Sequence, residues 1–277
     1  MSDPETQRPS QSEKSARFRA LHQGPGAFVI ANAWDPGSAR LLAQLGFQAV
    51  ATSSAAAARA LGVEDGQLGR DRSLANARSI VDACDLPVSA DLEDGFGAAP
   101  AVAAETIRMA GAAGLAGASI EDAPGGSGVH GLGLAVERIA AAVEAARSLG
   151  APFTLTARCE NFVRGRPDLD DTIERLRAYE RAGADVLFAP GLPTLDAVRA
   201  VCSAVAKPVN FMAGIPGRSF SVPELEAAGV RRISLAASLH RAAMAALREA
   251  AEEVLSRGTF TYTDRLAAPA ATREGAR

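Results

Sequence analysis

Short apolar runs rich in Val, Ile, Phe and Thr alternate along the chain with longer stretches whose apolar residues recur every three to four positions. No other feature restricts the fold as much, because this is the alternation of parallel βα units. The runs fall at residues 27–33, 49–53, 87–91, 118–121, 153–158, 186–188, 209–212 and 232–235, eight in all. Runs so short and so uniformly apolar predict strands covered by helices on both faces. Gly46-Phe47, Gly117-Ala118 and Gly183-Ala184 each precede a run, where glycine ends the helix before it. Eight units within 277 residues suit one closed (β/α)8 barrel, a fold of about 250 residues, with an open doubly wound sheet as the rival. The expected organisation is a loose polar leader over 1–24, a barrel over 25–256, and a tail over 257–277 that packs on a neighbouring chain or stays mobile.

Lys plus Arg number 29 and Asp plus Glu 32, a formal charge of −3, which gives no general attraction for nucleic acid or anionic lipid. The apolar runs are broken by Gly, Pro or charge well before the ~20 residues a membrane span needs. The first residues are too polar for the apolar core of a signal peptide. Cys84, Cys159 and Cys202, odd in number and widely spaced, suit reduced thiols. A cytoplasmic protein without disulfides is expected.

In a barrel the chemistry gathers at the carboxyl ends of the strands, so polar residues that end an apolar run are candidates. The third run ends in Asp91-Leu92-Glu93, the fourth in Glu121 and the fifth in Arg158. Two apart on an extended backbone, Asp91 and Glu93 would share a side, and Glu121 on the next strand would join them. Such carboxylates repel one another unless a hard divalent cation takes their oxygens, Mg²⁺ first and Mn²⁺ second. The plainer alternative is acids that cap helices or pair with arginine at a solvated rim. Arg158 offers a bidentate partner for a carboxylate, whether the substrate's or the protein's. Ser53 and Ser54 offer donors to an oxyanion, or merely form a turn. His130 lies in a stretch with glycines at 125, 126, 128, 131 and 133, and is either a lid acid titrating near neutral pH or an exposed loop residue. Asn210 either contacts substrate or starts a turn. Cys159 should face away from Arg158 as a small buried side chain.

At these residues the chain resembles the isocitrate lyase and phosphoenolpyruvate mutase superfamily, over nearly the whole stretch from Asn32 to about Arg248. The resemblance is carried by Asn32-Ala33-Trp34-Asp35, Thr52-Ser53-Ser54, Gly62-Val63-Glu64-Asp65-Gly66, Ala90-Asp91-Leu92-Glu93-Asp94-Gly95, Ser119-Ile120-Glu121-Asp122, Ala157-Arg158 and Gly183-Ala184-Asp185. It implies a barrel whose eighth helix is exchanged between subunits, in a homotetramer built as a dimer of dimers. It also implies Mg²⁺ on Asp91, Glu93 and Glu121, with the Ser53 backbone helping to hold substrate oxygens, Asp65 as a catalytic loop acid and Arg158 at the site. Trp34 joins the implied substrate contacts.

The implied reaction cleaves a carbon–carbon bond, or decarboxylates, in a small 2-oxo or 2-hydroxy acid through an enolate. Carbon–phosphorus chemistry on phosphonopyruvate and 2-oxo acid binding without turnover are the alternatives. The segment Asp122-Ala123-Pro124-Gly125-Gly126-Ser127-Gly128-Val129-His130-Gly131 departs from the family, whose isocitrate-type lyases carry Lys-Lys-Cys-Gly-His and whose phosphonate enzymes carry Lys and Asn. The sixth run ends Phe188-Ala189-Pro190 where the 2-methylisocitrate-cleaving members have Phe-Pro-Glu, so a second acid is lost.

Overall fold

A computed structural model describes residues 8–125 and 128–266. The eight expected strands form, each within a residue or two of its expected bounds. They are β1 (Phe28–Ala33), β2 (Val50–Thr52), β3 (Val88–Asp91), β4 (Gly117–Glu121), β5 (Thr154–Arg158), β6 (Val186–Phe188), β7 (Val209–Met212) and β8 (Arg232–Ser234). All pair in parallel in chain order, and β8 pairs with β1 through Phe28 opposite Arg232, so the barrel is closed and the open sheet is excluded.

The helices are α1 (Gln11–Gln23), α2 (Pro36–Gln44), α3 (Ser54–Ala60), α4 (Arg70–Ala83), α5 (Pro100–Ala112), α6 (Leu132–Arg147), α7 (Leu169–Arg181), α8 (Leu195–Ala204), α9 (Val222–Ala227) and α10 (Ser238–Arg257). Local sequence starts several of them. Asp35 caps α2 ahead of Pro36, and Ser221 with Glu224 closes a capping box on α9. None of the described helices is long and apolar enough to cross a membrane. The three cysteines are free, and Cys159 is fully buried, which pushes its thiol upward.

The stretch expected to be a loose leader is helical over Gln11–Gln23. Ser10 and Glu13 form a capping box, and Phe18 is wholly buried against Phe28, Ile30, Ala49 and Ala116. Those partners lie at or near the amino ends of the strands, so α1 covers the end of the barrel opposite the expected site. His22 accepts from the buried Arg232 guanidinium at 3.5 Å, and Arg232 also donates to Asn210 Oδ1 (2.8 Å) and Thr156 Oγ1 (3.1 Å) inside the barrel. Gly117 is required where α1 meets β4: a Cβ there would lie 2.5 Å from the Thr154 carbonyl oxygen and 2.9 Å from the Phe18 ring.

By its contacts the chain divides between Ser238 and Leu239. In the second unit Glu253 accepts from Thr259 Oγ1 and Thr261 Oγ1, both at 2.8 Å, and from Tyr262 N at 3.1 Å, tying a short turn at Thr261–Arg265 to α10. Met244, Leu247, Leu255, Phe260 and Leu266 of this unit are exposed. Residues 267–277 of the expected tail lie outside the described residues.

Candidate active site

At the carboxyl ends of the strands lies a cleft of about 360 Å³, within the range of small-molecule sites. Its walls carry five acids, Asp65, Glu93, Asp94, Glu121 and Glu160, against two arginines, Arg158 and Arg164.

The arginines and two of the acids form a ring. Arg158 reaches Glu121 Oε2 at 3.3 Å and Glu160 Oε1 at 2.5 Å, while Arg164 reaches Glu121 Oε1 at 3.3 Å and Glu160 Oε2 at 3.5 Å. Each carboxylate thus gives one oxygen to each guanidinium. Arg158 also meets Asp91 Oδ1 at 3.5 Å and lies over the Phe188 ring, 5.3 Å from its centre. Asp91 is further held by the Ser54 amide (3.3 Å) and hydroxyl (3.1 Å), and its own amide donates to Thr52 Oγ1 (3.0 Å).

Behind the ring stands a buried support. Asp122 Oδ1 accepts from the Glu160 amide at 2.9 Å, and its Oδ2 accepts from Arg175 (3.1 Å) and from the Tyr179 hydroxyl (2.6 Å) of α7. Arg138 of α6, almost wholly buried, donates to the carbonyls of Asp94 and Gly97 and so grips the loop after β3.

That loop departs from the expected geometry. The strand stops at Asp91, and Glu93 (φ 49°) and Phe96 (φ 66°) are left-handed, a conformation that non-glycine residues adopt mainly where surroundings impose it. Glu93 therefore reaches the cleft from a turn, not as the next same-side residue of a strand. The acids do not converge as a closed cage: among the described residues no three His, Cys, Asp or Glu side chains form a group that could hold a metal ion as placed, and Arg158 stands between Asp91 and Glu121.

The donor set nevertheless fits a hard cation. Glu93 Oε1 is buried without a hydrogen-bond partner. Burial, aided by Asp91, Asp65 and Asp94, pushes the Glu93 carboxyl up to about 7. Burial likewise raises Glu121, against the pull of Arg158. Buried carboxyl oxygens that gather at one cleft are the natural ligands of a hard divalent ion.

Of the residues expected from sequence, Asp65, Glu93, Glu121, Arg158 and Ser54 line the cleft, and Asp91 touches two of them. Four others do not line it. Ser53 is buried and caps α3 through the Ala56 amide. Asn210 is the second residue of β7, where its carbonyl oxygen is committed to Arg232 inside the barrel. The Trp34 backbone is held by Ser38 and Asn76. His130 ties its amide to the Asp122 carbonyl (2.7 Å) and its carbonyl to Arg175 (2.9 Å). Burial, and then Arg138, lower its pKa, the wrong direction for an acid at neutral pH. Gly126 and Ser127 of the lid lie outside the described residues.

The sequence places Asp94 and Glu160 at the charged rim without a role for either, and nothing in it points to Arg164 or Arg138. Glu160 was within reach of the two-residue spacing from Arg158, whereas Arg164 arrives through a 3₁₀ turn that no periodicity announces.

Residues 18–255 match the family described as phosphoenolpyruvate phosphomutase. A Corynebacterium glutamicum protein named probable 2-methylisocitrate lyase 2 is 31% identical over 267 residues, covering 92% of this chain and 85% of its own length. A lyase/mutase crystal structure from Burkholderia cenocepacia J2315 superposes with a TM-score of 0.91 at 53% identity, covering 94% of each chain. Oxaloacetate acetylhydrolase, solved with the inhibitor 3,3-difluorooxalacetate, superposes with a TM-score of 0.84 at 28% identity, covering 93% of this chain and 91% of the other.

Proposed function

The chain belongs to the phosphoenolpyruvate phosphomutase family, and from that membership we propose that it is a Mg²⁺-dependent lyase breaking a carbon–carbon bond in a small 2-oxo or 2-hydroxy carboxylic acid. The observation that carries the reading is the cleft's charge: five acids around two arginines, with Glu93 Oε1 buried and unpartnered and the carboxyl raised to about 7. Asp91, Glu93 and Glu121 would hold the cation, which when bound supplies a Lewis acid for negative charge developing on the substrate's carbonyl oxygen.

The chain's own residues do the rest. Arg158 binds and orients the substrate carboxylate, and its fork geometry is kept by Glu160 on one side and the Phe188 ring beneath. Ser54 fixes the rotamer of Asp91 through two donors. Asp65, at the cleft wall, accepts the proton of a substrate hydroxyl as the bond beside it breaks and the electron pair passes to the enolate.

The test is turnover by purified enzyme with Mg²⁺ on oxaloacetate, 2-methylisocitrate, isocitrate and phosphonopyruvate. Mg²⁺-dependent cleavage of one of the first three is expected. Release of phosphate from phosphonopyruvate alone would replace this reading with carbon–phosphorus chemistry.

A further inference from the structure

Resting on that reading of the cleft, we infer that Arg164 is the specificity-determining residue that receives the second anionic group of a doubly charged substrate. Arg158 meets Asp91, Glu121 and Glu160 and can orient one end of a diacid, so the other end falls to the second guanidinium, which shares Glu121 and Glu160 with it. Arg164 is the second cation on the cleft wall, and its side chain is the more open of the two, 27% exposed against 17%. The shared carboxylates of Glu121 and Glu160 hold the two guanidinium groups side by side on one wall of the cleft.

The group is also presented from a fixed base. Arg164 ends a one-turn helix (Asn161–Arg164), and the Asn161 side chain, wholly buried, donates to Asp171 Oδ2 (2.7 Å) and Thr172 Oγ1 (3.1 Å) of α7. Gly165 closes the turn at φ 73°, and the Arg166 amide returns to the Asn161 carbonyl at 2.8 Å. Little freedom is then lost when the arginine meets a ligand. Val163 beside it, 41% exposed on the same wall, gives an apolar surface for the carbon chain between the charges.

A purely structural arginine, there only to neutralise Glu121 and Glu160, would affect every ligand alike. Calorimetry in Mg²⁺ with pyruvate as the singly charged probe and 3,3-difluorooxaloacetate as the doubly charged one separates the two roles. Arg164→Gln should weaken the doubly charged probe by roughly ten- to hundredfold, the range expected for a lost hydrogen bond to a charged group. Pyruvate should be held within about twofold, and Arg164→Lys should recover part of the loss. Equal weakening of both probes, or of neither, overturns the assignment of Arg164 and leaves the cleft reading in place. A wild-type enzyme that binds neither probe with Mg²⁺ overturns the cleft reading itself.

Discussion

Arg158 touches three carboxylates and an aromatic face, and the acids around it raise its affinity for the proton further. It is permanently charged and held in place, which is the condition for orienting a substrate without reorganising at each turnover. The acids are in the opposite state: burial raises both Glu93 and Glu121, and five carboxyl groups face two guanidinium groups across the cleft. Asp91→Ala is expected to abolish Mg²⁺-dependent binding of pyruvate, read by calorimetry, while circular dichroism shows the fold unchanged. Undiminished affinity in that variant would remove Asp91 from the cation site. At this scale the chain was partly legible. Strand-end acids could be recognised because they interrupt apolar runs, but the left-handed turn at Glu93 could not, since nothing in Asp91-Leu92-Glu93 says where the strand stops. The side chains of Ser53 and Asn210 are engaged away from the cleft wall for a related reason: a polar residue near a strand end serves a helix cap or a barrel-interior arginine as readily as a ligand.

Among the elements, the strands were legible almost to the residue because burial on both faces leaves an uninterrupted apolar signature. Helix α1 was not, because three of its four buried residues are Lys14, Ser15 and His22. Only the Ser10-x-x-Glu13 capping box marked its start. Its burial has a consequence in acid. Enclosure first, and then the neighbouring Arg232 charge, lower His22 to about 3 from the usual 6.5. The folded state therefore resists a proton that the unfolded chain accepts. The stability this neutral imidazole contributes is complete above about pH 6.5 and is lost progressively as pH falls towards 3. A thermal melt series over that window should show the midpoint falling, and His22→Gln, which cannot protonate, should flatten this component. An unchanged slope in the variant would place the acid sensitivity elsewhere.

For the molecule as a whole, eight parallel strands in chain order fix where chemistry can occur, while the match over residues 18–255 shows the family. Assembly is the open expectation. Leu247 and Leu255 of α10 are 59% and 87% exposed, and Phe260 beyond it 61%, more apolar surface on one short segment than a solitary chain usually leaves wet. Light scattering after size exclusion is expected to give a mass of four chains, and Leu247→Asp with Leu255→Asp to lower it. A wild-type mass of one chain would end the tetramer expectation.

Helix α1 gives the barrel two ends with separate duties. Acids and arginines crowd one opening, while Phe18, His22 and Arg232 seal the other. Stabilising changes are often bought with lost activity when both draw on the same residues. Here the two are a barrel's length apart, so an engineer could harden the sealed base for a hotter vessel and leave turnover at the mouth untouched.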